Sequence, residues 1–196
     1  MIRIHLTAAD LANVRFAARP APLQELNAAL SMMAARPDGE LLFGRWRRRL
    51  LHTLPPASVP LRDLVPAGLA PGFIDVIKDT LPDALDAVTA APTHYVRSEL
   101  ERVYRAPGPT LGRVPGTRPP RVPAWIRELH RGNAQAWLRL RQAQQAAFTT
   151  VLEPVWPQIQ DLHRDTFVRY ATVAAERGVG AALTTLVPGS RLRDGV

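Results

Sequence analysis

The sequence predicts a mainly α-helical fold: a multi-helical domain with a short N-terminal β-strand and a truncated C-terminal strand. Three observations carry this expectation. Apolar residues recur at three- and four-residue spacing through most of the chain, the pattern of helices that bury one stripe. The 19 prolines and 12 glycines fall mostly between those stripes. Strict alternation is confined to the ends: Ile2, Ile4 and Leu6 at one, and residues 191–194 running into Asp194-Gly195 at the other. Asp-Gly favours a two-residue hairpin, because both central residues need positive φ, so a further strand is expected after Val196 and the chain reads as one part of a longer protein.

Thr7 opens the first helix. Thr7 and Asp10 have capping-box spacing, each side chain accepting an otherwise unpaired backbone N–H, and Leu6 with Leu11 fit the accompanying hydrophobic staple. Leu23, Leu26, Leu30 and Met33 form the next stripe, which Pro37-Asp38-Gly39 ends. Phe43, Trp46, Leu50 and Leu54 form another. Arg45, Arg47, Arg48 and Arg49 lie off that stripe, so this helix is amphipathic and strongly basic. Such a face suits DNA or an acidic membrane surface; a core-packed helix with solvated arginines explains it as well, and is the commoner use of a charge block.

Residues 55–72, rich in Pro, Ala and Leu, read as an irregular loop. Helices follow on Leu81, Leu85 and Val88, then on Val96, Leu100, Val103 and Tyr104, with Thr93 as the N-cap between them. Residues 106–123 are dominated by Pro and Gly, a composition that buries little and acts as a linker. The expected organisation is therefore residues 1–105 as a strand and helical half, 106–123 as a linker, and 124–196 as a second helical half. In that half Pro123 starts a helix on Trp125, Ile126 and Leu129. Gly132-Asn133 stops it and caps the next, which carries Trp137, Leu140, Phe148, Val151 and Val155. Pro154 and Pro157 interrupt this pattern. A helix with Ile159, Leu162, Phe167, Tyr170 and Val173 inward follows, ending at Gly178, and a short one holds Leu183 and Leu186.

At 196 residues and 46% hydrophobic content the chain has the material for a conventional core. It has no cysteine, which excludes disulfides, thiolate metal sites and a cysteine nucleophile. No signal peptide or membrane span is legible, so a cytoplasmic protein without membrane partners is expected. The formal charge is +8, and Lys78 is the single lysine among 25 basic residues. A positive surplus points weakly to an anionic partner such as nucleic acid.

Chemistry-bearing motifs are missing. His5, His52, His94, His130 and His163 have no spacing that would put two nitrogens on one metal. There is no nucleophile elbow, phosphate loop or dinucleotide fingerprint. Asp75, Asp79, Asp83 and Asp86 cluster in sequence, a pattern that helix-start electrostatics and a solvated face explain better than paired catalytic carboxylates. His163 reads as a core histidine bonded to backbone, with a ligand or proton-shuttle role as the sharper alternative. Trp46, Trp125, Trp137 and Trp156 suit core packing, or the lining of an apolar pocket. No catalytic, cofactor-binding or metal residue is assigned, and the expectation is a non-enzyme without a cofactor.

Five segments in order carry a resemblance: IRIHLTAADLANVRFAARPAPLQEL at 2–26, FGRWRRR at 43–49, APTHYVRSEL at 91–100, PAWIRELHRG at 123–132 and EPVWPQI at 153–159. Together they resemble the N-terminal domain of actinobacterial ArsR-type winged-helix transcriptional regulators. PGFIDVI at 71–77 departs from the Pro-Asp-Phe-Leu pattern of that family. The resemblance implies a regulatory or dimerisation module, a homodimer with a possible small-molecule effector, and DNA reading by a C-terminal winged helix that this chain lacks. It supplies no site residues. Metal sensing, familiar among ArsR-type proteins, does not fit a chain without cysteines or paired histidines. The rival expectation is a stand-alone helical small-molecule-binding domain or enzyme with an apolar pocket.

Overall fold

Apolar stripes at helical spacing become helices throughout. The computed structural model describes residues 5–34, 40–65, 70–105 and 121–186, and the regular elements among them are all helical. The expected N-terminal strand lies mainly outside the described residues, and its described end, His5 and Leu6, is not in a strand. The expected C-terminal strand and its Asp194-Gly195 turn lie outside them entirely. Residues 21–156 form one compact unit, and residues 1–20 with 157–196 form another.

In the larger unit, α2 (Pro22–Ala34) buries Leu23, Leu26 and Ala29. Next comes α3 (Glu40–Thr53), which packs on α2 with Leu50 buried. Residues 55–65, expected as irregular loop, instead hold a 3-10 turn at Pro56–Ser58 and a short helix, α4 (Pro60–Leu64), with Pro60, Leu61 and Leu64 buried. Pro60 sits at the first helical position, where its missing N–H costs nothing, and Leu61 and Leu64 lie one turn apart on the inner side.

α5 (Leu81–Thr89) is capped by Thr80, whose hydroxyl oxygen accepts from the Asp83 N–H. α6 (Thr93–Arg105) buries the expected Val96, Leu100, Val103 and Tyr104. Thr93 is its first helical residue rather than its cap: the Val96 N–H donates to the Pro92 carbonyl at 3.0 Å.

α7 (Ala124–His130) buries Trp125, Ile126 and Leu129 and ends in a Schellman turn. Gly132 takes φ +79°, its N–H reaches the Leu129 carbonyl, and the Asn133 N–H reaches that of Glu128. Asn133 then caps α8 (Ala134–Val151), accepting from the Gln135 and Ala136 N–H groups at 2.9 and 3.2 Å. α8 is the hub of the unit: α2, α4, α5, α7 and the Pro56–Ser58 turn all pack on it. The 106–123 segment, whose residues 106–120 are outside the described set, is flanked by α6 and α7, which pack on each other within this one unit.

Pro154 and Pro157 act as expected, with a 3-10 turn at Glu153–Val155 separating α8 from α9 (Trp156–Arg177). Val155, expected on the apolar stripe, is exposed because that turn breaks the helical register.

The other unit joins α1 (Ala8–Asn13), residues 157–177 of α9 and α10 (Val179–Leu186). The capping box is complete: Thr7 N–H donates to the Asp10 carboxylate at 2.7 Å and Asp10 N–H to the Thr7 hydroxyl at 3.1 Å. Phe16 stacks on Tyr170 with ring centroids 6.3 Å apart, and α1 packs on α10. Gly178 takes φ +84° after α9. Leu162, expected inward, is 69% exposed. The inward arc of α9 runs through Ile159, His163, Phe167 and Tyr170, and Leu162 lies about 100° around the helix from its neighbour His163.

The α8 core contains an anomaly. Gln144 is 1% exposed, and neither amide atom has a hydrogen-bond partner among the described residues. A buried unpaired amide costs about 1–3 kcal/mol. Gln144→Met keeps the length and removes the polar atoms, so it is expected to raise the unfolding free energy by about 1 kcal/mol in a urea titration; a loss would contradict an unpaired amide.

Candidate ligand cleft between α6 and α7

α6 presents three sides. Val96, Leu100 and Val103 face the core. Tyr95, Glu99 and Arg102 lie on the side that meets the 70–75 segment: Glu99 accepts from the Gly72 N–H and pairs through two bonds with Arg102, whose Nη2 also donates to the Ala70 carbonyl at 3.0 Å. A methyl group at Gly72 would lie 2.5 Å from the Tyr95 hydroxyl and 3.0 Å from a Glu99 carboxylate oxygen, so a larger residue there would displace these side chains. The third side, Leu100, Glu101 and Tyr104, faces α7 across a cleft.

The cleft is open to solvent, has a volume of about 570 Å³ and is lined by Leu100, Glu101, Tyr104, Val122, Ile126, Arg127, His130 and Arg131. Its floor is apolar and its rim charged. On α7, Ile126 with His130 and Arg127 with Arg131 are each one turn apart, and the Arg127 guanidinium donates to the Val122 carbonyl at 2.6 Å. His130 Nε2 lies 3.4 Å from the Glu101 carboxylate. The Arg97 Nε–H donates to the His130 carbonyl at 3.0 Å, tying the end of α7 to α6.

The floor is held from below by Asp63. Its carboxylate accepts from the Trp125 indole at 2.7 Å, and its carbonyl accepts from the Tyr104 hydroxyl. Burial, with the nearby Asp63 charge, pushes the Tyr104 phenol well above its ordinary value, so it remains a neutral donor. A volume of this size, with an apolar floor and a rim that carries Arg127, Arg131, His130 and the Glu101 carboxylate, suits a small molecule with an apolar body and a polar head.

The residues marked in the sequence go elsewhere. Trp125 packs in the core, Trp137 meets Phe73 edge-on at 6.0 Å, and Trp156 meets Phe148 edge-on at 5.1 Å. None of these three lines the cleft, and the Trp46 side chain is outside the described set. Asp75, Asp79, Asp83 and Asp86 are all exposed; Asp83 bonds to the Thr80 hydroxyl and Asp86 pairs with Arg141, so they do not converge. His163 Nε2 lies 2.9 Å from the Ala17 carbonyl oxygen, so the expected backbone bond is present, but the ring is half-buried rather than in the core. Among the described residues no group of three or more His, Asp or Glu is placed to hold a metal.

The cleft was not assembled from sequence. Leu100, Tyr104 and Ile126 were recognisable as buried positions, but nothing in the intervening proline-rich stretch indicates that α6 and α7 adjoin. No family model, no curated protein and no solved structure matches the chain.

The Glu99 clamp on the back of α6 makes stability pH-dependent. Its carboxyl is held below the ordinary 4.5, chiefly by the hydrogen-bonded Arg102; burial opposes this and the Gly72 N–H adds to it. A carboxyl depressed in the folded state stabilises above its unfolded pKa and loses that contribution as pH falls through the folded one. Glu99→Gln is therefore expected to be less stable than the wild type at neutral pH, with the difference closing as the pH drops below about 4.5. Thermal melts of the two proteins across that range check this.

Proposed function

We propose that this chain is the effector-binding regulatory and dimerisation domain of a DNA-binding transcriptional regulator working in the cytoplasm. In this reading a winged helix elsewhere in the full protein reads the operator. The observation that carries the regulatory part is the α6/α7 cleft, with its apolar floor and the Arg127, His130 and Arg131 edge. The regulator part rests on the likeness of the five segments to ArsR-type regulators. Among the described residues no helix is long and apolar enough to cross a membrane, in keeping with a non-membrane role.

Mechanistically, an amphipathic acid places its apolar body on Leu100, Tyr104 and Ile126 and its anionic head at the arginine edge. Ligand bound between two helices favours the spacing of α6 and α7 that it fits, and changes DNA affinity only insofar as it prefers one dimer geometry over another.

The test has two stages. Carboxylates with apolar tails of increasing length are added to the chain; a ligand at ten times its Kd is expected to stabilise it by about 1.4 kcal/mol. Val122→Trp, which fills the cleft from a half-buried wall position, and Arg131→Glu are expected to abolish that shift while melting like the wild type without ligand. Operator binding and solution mass of the protein from its complete reading frame are then measured with and without the ligand. A dimer whose DNA affinity responds to ligand supports the reading. Ligand binding by a monomer with no effect on DNA would assign the cleft to a stand-alone binding protein.

A further inference from the structure

α3 carries a feature that the cleft does not use. Arg45, Arg48, Arg49 and His52 are all exposed and stand at i, i+3, i+4 and i+7, so they share one face of the helix. Three arginines elsewhere on the surface are paired with carboxylates: Arg102 with Glu99, Arg141 with Asp86 and Arg164 with Asp161. Arg45, Arg48 and Arg49 make no ion pair among the described residues, and the helix holds one acidic residue, Glu40, at its far end.

We infer that this face of α3 binds the sugar-phosphate backbone of double-stranded DNA without reading its sequence. At 1.5 Å per residue the stripe from Arg45 to His52 is about 10 Å long, the length of about three base-pair steps. Guanidinium groups match phosphate oxygens in a two-pronged geometry that a solvated ammonium does not reproduce. The formal charge of +8 draws the chain toward any polyanion. DNA is favoured over an acidic membrane because a helix lying on a bilayer inserts an apolar face, and the apolar Leu50 of α3 is already buried where α3 packs on α2. The inference stands on α3 and is independent of the cleft.

The experiment is fluorescence anisotropy of the intact chain with a labelled duplex of scrambled sequence, at salt concentrations from about 50 to about 200 mM. With three phosphates neutralised, log K is expected to fall against log salt with a slope of about −3. The triple variant Arg45→Gln, Arg48→Gln, Arg49→Gln changes only exposed positions to another good helix former; it is expected to weaken binding at least about tenfold at the lowest salt and flatten the slope. Arg62→Gln with Arg177→Gln, exposed arginines on other helices, is expected to leave affinity within about twofold. Val122→Trp is expected to leave duplex binding unchanged, which separates failure here from failure of the effector reading. No binding by the wild type, equal binding by the triple variant, or preference for phosphatidylserine vesicles over the duplex overturns the inference.

Discussion

The close packing of α8 is the constraint on which the larger unit depends. Leu140, Ala143 and Ala147 are fully buried, and Ala136, Phe148 and Val151 nearly so. Alanines along the middle of the helix leave room for neighbouring elements, while Leu140 and Phe148 fill the gaps between them. α2, α4, α5 and α7 therefore pack around one rod rather than in successive layers. The cleft inherits its precision from this arrangement, because α7 is fixed to α8 through both its packing and the Gly132-Asn133 turn.

Around that apolar centre, polar groups fix α6 in place. Asp63 reaches both Trp125 and Tyr104, and Arg97 reaches the carbonyl end of α7. On the opposite side, Glu99 and Arg102 hold the backbone at Gly72 and Ala70. Held on two sides, α6 turns Leu100 and Tyr104 toward α7, and protein contacts alone set the position of that surface.

Local signals were legible in the sequence and long-range ones were not. The Thr7 capping box, the Gly132-Asn133 stop and cap, the break at Pro154 and Pro157, and the buried Val96, Leu100, Val103 and Tyr104 all follow from spacing and backbone chemistry. The short helix at Pro60–Leu64 was hidden because proline-rich composition reads as loop, although proline at a first helical position starts a helix. Leu162 was misplaced because one residue's rotation separates the inner arc from the outer. Trp125 suits core packing by its spacing, as found, but its indole bond to Asp63, 62 positions away, depends on tertiary contact that no spacing rule contains. The cleft belongs to the same class, since its two walls are joined by a segment without periodicity.

The proposed binding role of the space between α6 and α7 is open to direct measurement. The most direct measurement is a map of backbone amide chemical shifts as an apolar-tailed carboxylate is titrated into the chain. The account predicts saturable changes concentrated at residues 100–104 and 122–131, with the rest of α8 little affected. Changes centred on other helices, or none at millimolar ligand, would contradict it.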